Sequence, residues 1–188
     1  MSGHHLILGE LKDVITGETL ADTHDERYRQ KIARYLMDPL GYAKEDLVPG
    51  RRIRIQVDDK SALIHLDFII RVSGKTMMII KYGPGSLVSR HRIGLALARI
   101  IEPYPIPVVV VSNGEDADIL SGETGKKTGS GLGAIPSKTD LQVLVEKAPR
   151  KLISPKQVEM ESRILYAFEI DDKCPCDDTN LSCSPSEP

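Results

Sequence analysis

Two apolar runs separated by a pair of turn residues constrain this chain more than any other feature: "SALIHLDFIIRV" and "TMMIIKY" stand on either side of Ser73-Gly74. Runs of this length, rich in β-branched residues and joined by a tight turn, read as neighbouring antiparallel strands. Just before them, "RRIRIQV" alternates basic and apolar residues with period two, as a half-buried strand does. After the punctuation "GPGS", the stretch "LVSRHRIGLALARII" predicts an amphipathic helix stopped by Pro103 and Pro105. "IPVVVVS" then reads as a strand buried on both faces, and Asn113-Gly114 turns it toward "DADIL". Upstream, "THDERYRQKIARYLMDPLGY" predicts a helix capped by Thr23 or Asp25, carrying Tyr28, Ile32, Tyr35 and Leu36 at helical spacing and ended by Pro39 and Gly41. Helix, three strands, helix and two strands make an α/β domain with a mixed sheet flanked by helices.

A chain of 188 residues that is 40% hydrophobic supports one good core with attached arms. The expected division is an N-terminal arm over 1–22, the α/β domain over 23–147, a C-terminal helix within 148–170 and an acidic, cysteine-containing tail over 171–188. Helices are expected at about 138–147 and 155–169, and the Gly- and Ser-rich "SGETGKKTGSGLGAIPS" as a surface loop. No apolar stretch approaches the roughly 20 residues needed to cross a bilayer, and the first residues lack the basic and apolar regions of a signal peptide. A cytoplasmic location without a membrane partner is expected.

Charge is unevenly placed. Residues 51–100 hold ten Lys and Arg against Asp58, Asp59 and Asp67, a segment charge of +7 in a chain whose net charge is −2, so the remainder carries −9. A basic middle in an acidic chain points to a local polyanion contact; the competing account is a set of solvated strand and helix faces. Lys75 at the hairpin turn and Arg90, Arg92 and Arg99 on the predicted helix are the candidate nucleic-acid contacts. Arg92 and Arg99 are seven residues apart and share a face.

The hairpin also carries two ionisable residues out of place. Met77, Ile79 and Lys81 share one strand face, which makes Lys81 the polar exception, and antiparallel pairing about the turn brings Asp67 near it. An Asp/Lys pair at the end of a sheet is either a site or a structural ion pair. Cys174, Cys176 and Cys183 could offer thiolates to Zn²⁺, with a fourth ligand from His4, His5 or another subunit, but the spacing lacks a partner motif and a tail of free thiols is the expectation. "SGETGKKTGSG" departs from the nucleotide-binding loop pattern because of its second lysine, Lys127, which excludes nucleotide hydrolysis.

From "DERYRQKIARYLMDPLGYAKEDL" through "LDFIIRVSGKTMMIIKYGPGSL" to "VVVVSNGEDADILSGETGK", the chain resembles the N-terminal domain of type I restriction enzyme R subunits in a free-standing form. That domain belongs to the restriction-endonuclease-like PD-(D/E)xK superfamily. The resemblance implies a restriction-endonuclease-like mixed central sheet, with Asp67 at the metal-binding acid, Lys81 at the lysine of the Glu-x-Lys, and Glu26 at an accessory acid of the first helix. The second strand acid falls on Ile79, which cannot coordinate a cation. A nuclease-like domain with an eroded metal site is therefore expected, binding nucleic acid, DNA foremost, or restriction-system subunits. No cofactor is expected in the native protein, and Mg²⁺ only if a displaced carboxylate, Glu26 or Asp58, completes the site. The third class of function is a protein-interaction module without nucleic acid.

Overall fold

The structure is a computed structural model that describes residues 7–147 and 152–170. Its centre is a six-stranded sheet whose strands lie side by side in chain order: β3 (Leu47–Val57), β4 (Lys60–Val72), β5 (Lys75–Tyr82), β6 (Val108–Ser112), β7 (Ala117–Ser121) and β8 (Lys127–Ser130). All neighbours are antiparallel except β5 and β6, which run parallel because helix α2 (Val88–Ala98) carries the chain back across one face. Helix α1 (His24–Met37) covers the opposite face. This is a mixed α/β architecture of the restriction-endonuclease-like kind.

Two apolar layers sandwich the sheet. Ile32, Ala33 and Leu36 of α1 pack on Phe68, Ile70, Met78, Ile80 and Val110. On the other face, Ile93, Ala96 and Leu97 of α2 and Leu165 of α4 (Pro155–Ile170) pack on Ile79, Val109, Val111 and Leu120. Gly94 permits the close seating of α2: a Cβ there would stand 2.9 Å from Val109 and 3.2 Å from Val111. Thr23 caps α1 by accepting the Glu26 N–H at 3.1 Å, while Asp25 and Glu26 favour the positive end of the helix dipole.

The predicted first helix, which runs 14 residues, the Ser73-Gly74 turn and the strands on both sides of it are present. Two expectations change. The segment 121–137 is not only loop: Lys127–Ser130 pairs with β7 as the edge strand β8, followed by a 3-10 turn at Leu132–Ala134. Its Gly and Ser content masks a strand because an edge needs few apolar residues. The N-terminal arm contains a hairpin, β1 (Glu10–Lys12) with β2 (Thr19–Ala21). Its turn is tied to α1, since buried Gln30 accepts the Val14 N–H at 2.8 Å and donates to Asp13 at 3.0 Å. Helices α3 (Lys138–Lys147) and α4 occupy the two C-terminal stretches expected to be helical.

Strands β3 and β4 outrun the rest of the sheet. The pairing of β4 with β5 spans Phe68 to Val72, whereas its pairing with β3 continues to the Val57–Lys60 rung. At the junction Gly50 adopts φ +60, a conformation that glycine tolerates without strain. The alternation of faces reverses there. Leu47 and Phe68 pack toward α1, yet Ile55, Ile64 and Leu66, of the same parity, pack with the α2 and α4 layer. Asp67 sits at this pivot.

Candidate functional site

Asp67 and Lys81 flank the last β4–β5 rung, Phe68–Ile80, where the two strands part. Backbone groups at such a fork lose their ladder partners and must find others. The two side chains supply them: Asp67 Oδ2 accepts the Tyr82 N–H at 2.7 Å, and the Lys81 ammonium donates to the His65 carbonyl at 2.8 Å. Both groups are interior, Asp67 1% and Lys81 6% exposed. The sequence reading placed them together correctly at one end of the sheet but omitted the cation between strand and helix. Arg29 Nε donates to Asp67 Oδ1 at 2.6 Å, and the same guanidinium stands 3.2 Å from Glu26. Arg29 was legible in principle: it precedes buried Ile32 and Ala33 by three and four residues, which puts it on the inward stripe of α1.

A wider network fixes that guanidinium. Glu26 also accepts from Gln30 at 2.9 Å, so the arm hairpin, α1 and β4 are linked through Asp13, Gln30, Glu26, Arg29 and Asp67. Arg29 lies 5.7 Å from the centroid of the Tyr82 ring, which stacks on Tyr28 and donates its hydroxyl to Asp25 at 3.1 Å. Burial and the neighbouring Asp25 push the Tyr82 phenol up. His65 Nε2 is 3.4 Å from Asp67 Oδ1.

Burial pushes the Asp67 carboxyl up, but the His65 contact and the cations Arg29 and Lys81 outweigh it and hold the group below the ordinary aspartate range. The linkage has a definite sign. A carboxyl whose pKa is lower folded than unfolded stabilises the fold above the unfolded value near 3.9, and that contribution is lost as pH falls through the folded value. Equilibrium unfolding of the native protein and Asp67→Asn should therefore differ most above about pH 5, with the gap closing as the pH falls below about 4. A gap that stays constant with pH would rule out Asp67 as a stabilising charge.

The remaining candidates lie elsewhere. Ile79 is 0% exposed, opposite Ile69 and beside Val109 under α2. Asp58 is at the tip of the β3–β4 hairpin, beside Arg163 at 3.4 Å and roughly 20 Å or more along the strand from Asp67. It does not supply a displaced acid to this site. Lys75 pairs with Val72 at the far end of the β4–β5 ladder. Arg92 and Arg99 share a face as the spacing implied, but that face meets α4: they hold the carboxylate of Glu161, 3% exposed, at 2.6 and 2.8 Å. Arg90 folds over Gly83 and donates to the Pro84 carbonyl at 3.2 Å. Lys75, Arg90, Arg92 and Arg99 thus do not form one surface. His91 Nε2 lies 2.7 Å from buried Asp118, which also receives Lys127 at 2.6 Å and Ser130 at 3.1 Å. Cys174, Cys176, Cys183, His4 and His5 lie outside the described residues. Among the described residues no group of three or more His, Cys, Asp or Glu is placed to hold a metal ion.

The model of the type I restriction enzyme R protein N terminus matches residues 24–136, more than half of the chain, from the first residue of α1 to just past β8. The chain belongs to the type I restriction enzyme R protein N-terminal family. The matched span contains every residue of the Asp67, Lys81, Glu26 and Arg29 constellation. No curated protein and no solved structure matches it. Among the described residues of this R-protein N-terminal domain, no helix is long and apolar enough to cross a membrane.

Proposed function

We propose that this R-protein N-terminal domain is a nuclease-like scaffold that binds nucleic acid, DNA foremost, without holding a catalytic cation of its own. The observation that carries the reading is Arg29, whose guanidinium stands between Asp67 and Glu26, the two acids that remain of the family's set. Mg²⁺ requires several hard oxygen ligands in near-octahedral array. Here one Asp67 oxygen is engaged by Arg29 and the other by the Tyr82 N–H, and Ile79 supplies no oxygen. The residues present do not fit a divalent cation; a monovalent guanidinium bridges the acids instead, and Lys81 is occupied with the strand fork. The domain then acts by binding, alone or with restriction-system subunits.

The competing reading, a Mg²⁺-dependent endonuclease with a displaced acid, rests on Glu26, which reaches the same guanidinium as Asp67. Cleavage assays on duplex and single-stranded DNA with Mg²⁺ and Mn²⁺, alongside fluorescence anisotropy with labelled DNA, separate the two. The expected result is binding that weakens steeply between about 50 and 200 mM salt, as release of condensed counterions requires, with no cleavage. Metal-dependent turnover that disappears in Asp67→Ala would establish the endonuclease, and absence of binding at low salt would leave the protein-interaction role.

A further inference from the structure

We infer that the open face of the β3–β4 ribbon, built on Arg52 and Arg54, is the surface that docks the phosphate backbone of duplex nucleic acid. The inference rests on the nucleic-acid reading above and assigns it a place. Beyond the pivot at Gly50 and Asp67, β4 has left β5, and residues 51–66 form a two-stranded antiparallel ribbon. One of its faces is closed: Ile53, Ile55, Ile64 and Leu66 pack with Ile164 and Leu165 of α4. The other carries Arg52, Arg54 and Gln56 on β3, all exposed, opposite His65, Leu63 and Ser61 on β4.

Three observations make this face a polyanion contact. It carries no acid, and among the described residues Arg52 and Arg54 enter no ion pair, in contrast to Arg92 and Arg99, which share the carboxylate of Glu161. A two-stranded ribbon has the width that a B-form major groove admits, and two arginines at alternate positions, about 7 Å apart along the strand, can each reach a phosphate. The face also leads into the candidate site, because Arg52 is paired with His65, whose side chain is 39% exposed and touches Asp67. A duplex lying along the ribbon passes over the fork where Asp67 and Arg29 meet.

Arginines on an edge strand also deter edge-to-edge aggregation, so the test must separate charge used for solubility from charge used for binding. Fluorescence anisotropy with a labelled DNA duplex, titrated with salt, would compare the native chain with the double variants Arg52→Gln/Arg54→Gln and Arg52→Lys/Arg54→Lys and with Lys75→Gln. Circular dichroism, thermal unfolding and sedimentation would be recorded on each. The glutamine pair should weaken binding and lower the magnitude of the log–log salt slope by about 2, the loss of two phosphate contacts, with fold and monomer–oligomer distribution unchanged. The lysine pair should keep the native slope, since it retains both charges, and Lys75→Gln should bind as the native chain does. Native-like slope in the glutamine pair overturns the inference while leaving DNA binding intact; so does a glutamine pair that only aggregates and still binds. Absence of duplex binding by the native chain removes both this inference and the functional reading on which it rests. Should the glutamine pair unfold, the lysine pair and single Arg54→Gln decide: an unchanged slope in Arg54→Gln overturns the assignment.

Discussion

Asp67→Ala is expected to destabilise the protein by about 3–5 kcal/mol, the range seen when one partner of a buried ion pair is removed. The carboxylate is 1% exposed and serves two donors, Arg29 Nε and the Tyr82 N–H. Alanine leaves the guanidinium with Glu26 as its remaining carboxylate and deprives the buried Tyr82 N–H at the fork of its acceptor. The coupling is testable: Arg29→Met combined with Asp67→Ala should recover part of the loss, because the uncompensated charge disappears with its partner. Urea unfolding measures both. A loss below about 1 kcal/mol for Asp67→Ala would mean that the pair is solvated and worth no more than a surface salt bridge.

Ile79→Glu, which puts an acid where the resemblance implies the second strand carboxylate, should be at least as disruptive. The side chain is fully buried, paired across β4 with Ile69 and across β6 with Val109 beneath Ile93 and Leu97. A carboxylate there has no room for water, so it either unfolds the domain locally or takes up a proton. Its pKa would rise in the folded state, and the sign is opposite to that of Asp67: the folded form binds more protons than the unfolded form, so stability falls as pH rises. The expected loss is several kcal/mol at pH 7 and smaller near pH 5. Thermal unfolding with and without Mg²⁺ or Mn²⁺ adds a second readout. A divalent cation should leave Ile79→Glu alone unaffected while Arg29 stands between the acids, and should raise the midpoint only when Arg29→Ala is added, because a ligand stabilises only the state that can bind it. Equal metal response in the native chain would show a competent site and remove the case for an eroded one.

Much of this was legible in the residues. Hydrophobic period and turn chemistry located the Ser73-Gly74 hairpin, the crossover helix and the buried "VVVV" strand, because each depends on neighbours in sequence. Antiparallel pairing about a known turn was enough to bring Asp67 and Lys81 to one end of the sheet. The same reasoning could not find β8, whose four residues earn their place only by pairing with β7, nor the arm hairpin, which is anchored by Gln30 from a helix.

Charge was the least legible property. A helical wheel puts Arg92 and Arg99 on one face but does not say that Glu161, more than sixty residues later, will lie against it. Ion pairing therefore ties two predicted contacts to Glu161, although the Arg92 side chain keeps 39% exposure, and leaves Arg52 and Arg54 exposed without an ion pair among the described residues, although all four read alike as basic residues. The sequence alone determined the α/β order, the hairpin and the absence of an acid at position 79, since these follow from local periodicity and residue identity. Only the tertiary structure decided what stands beside Asp67: the reversal of faces at Gly50 turns its carboxylate toward α1, and burial there makes a partner obligatory, so Arg29, 38 residues away in the chain, becomes its counter-ion.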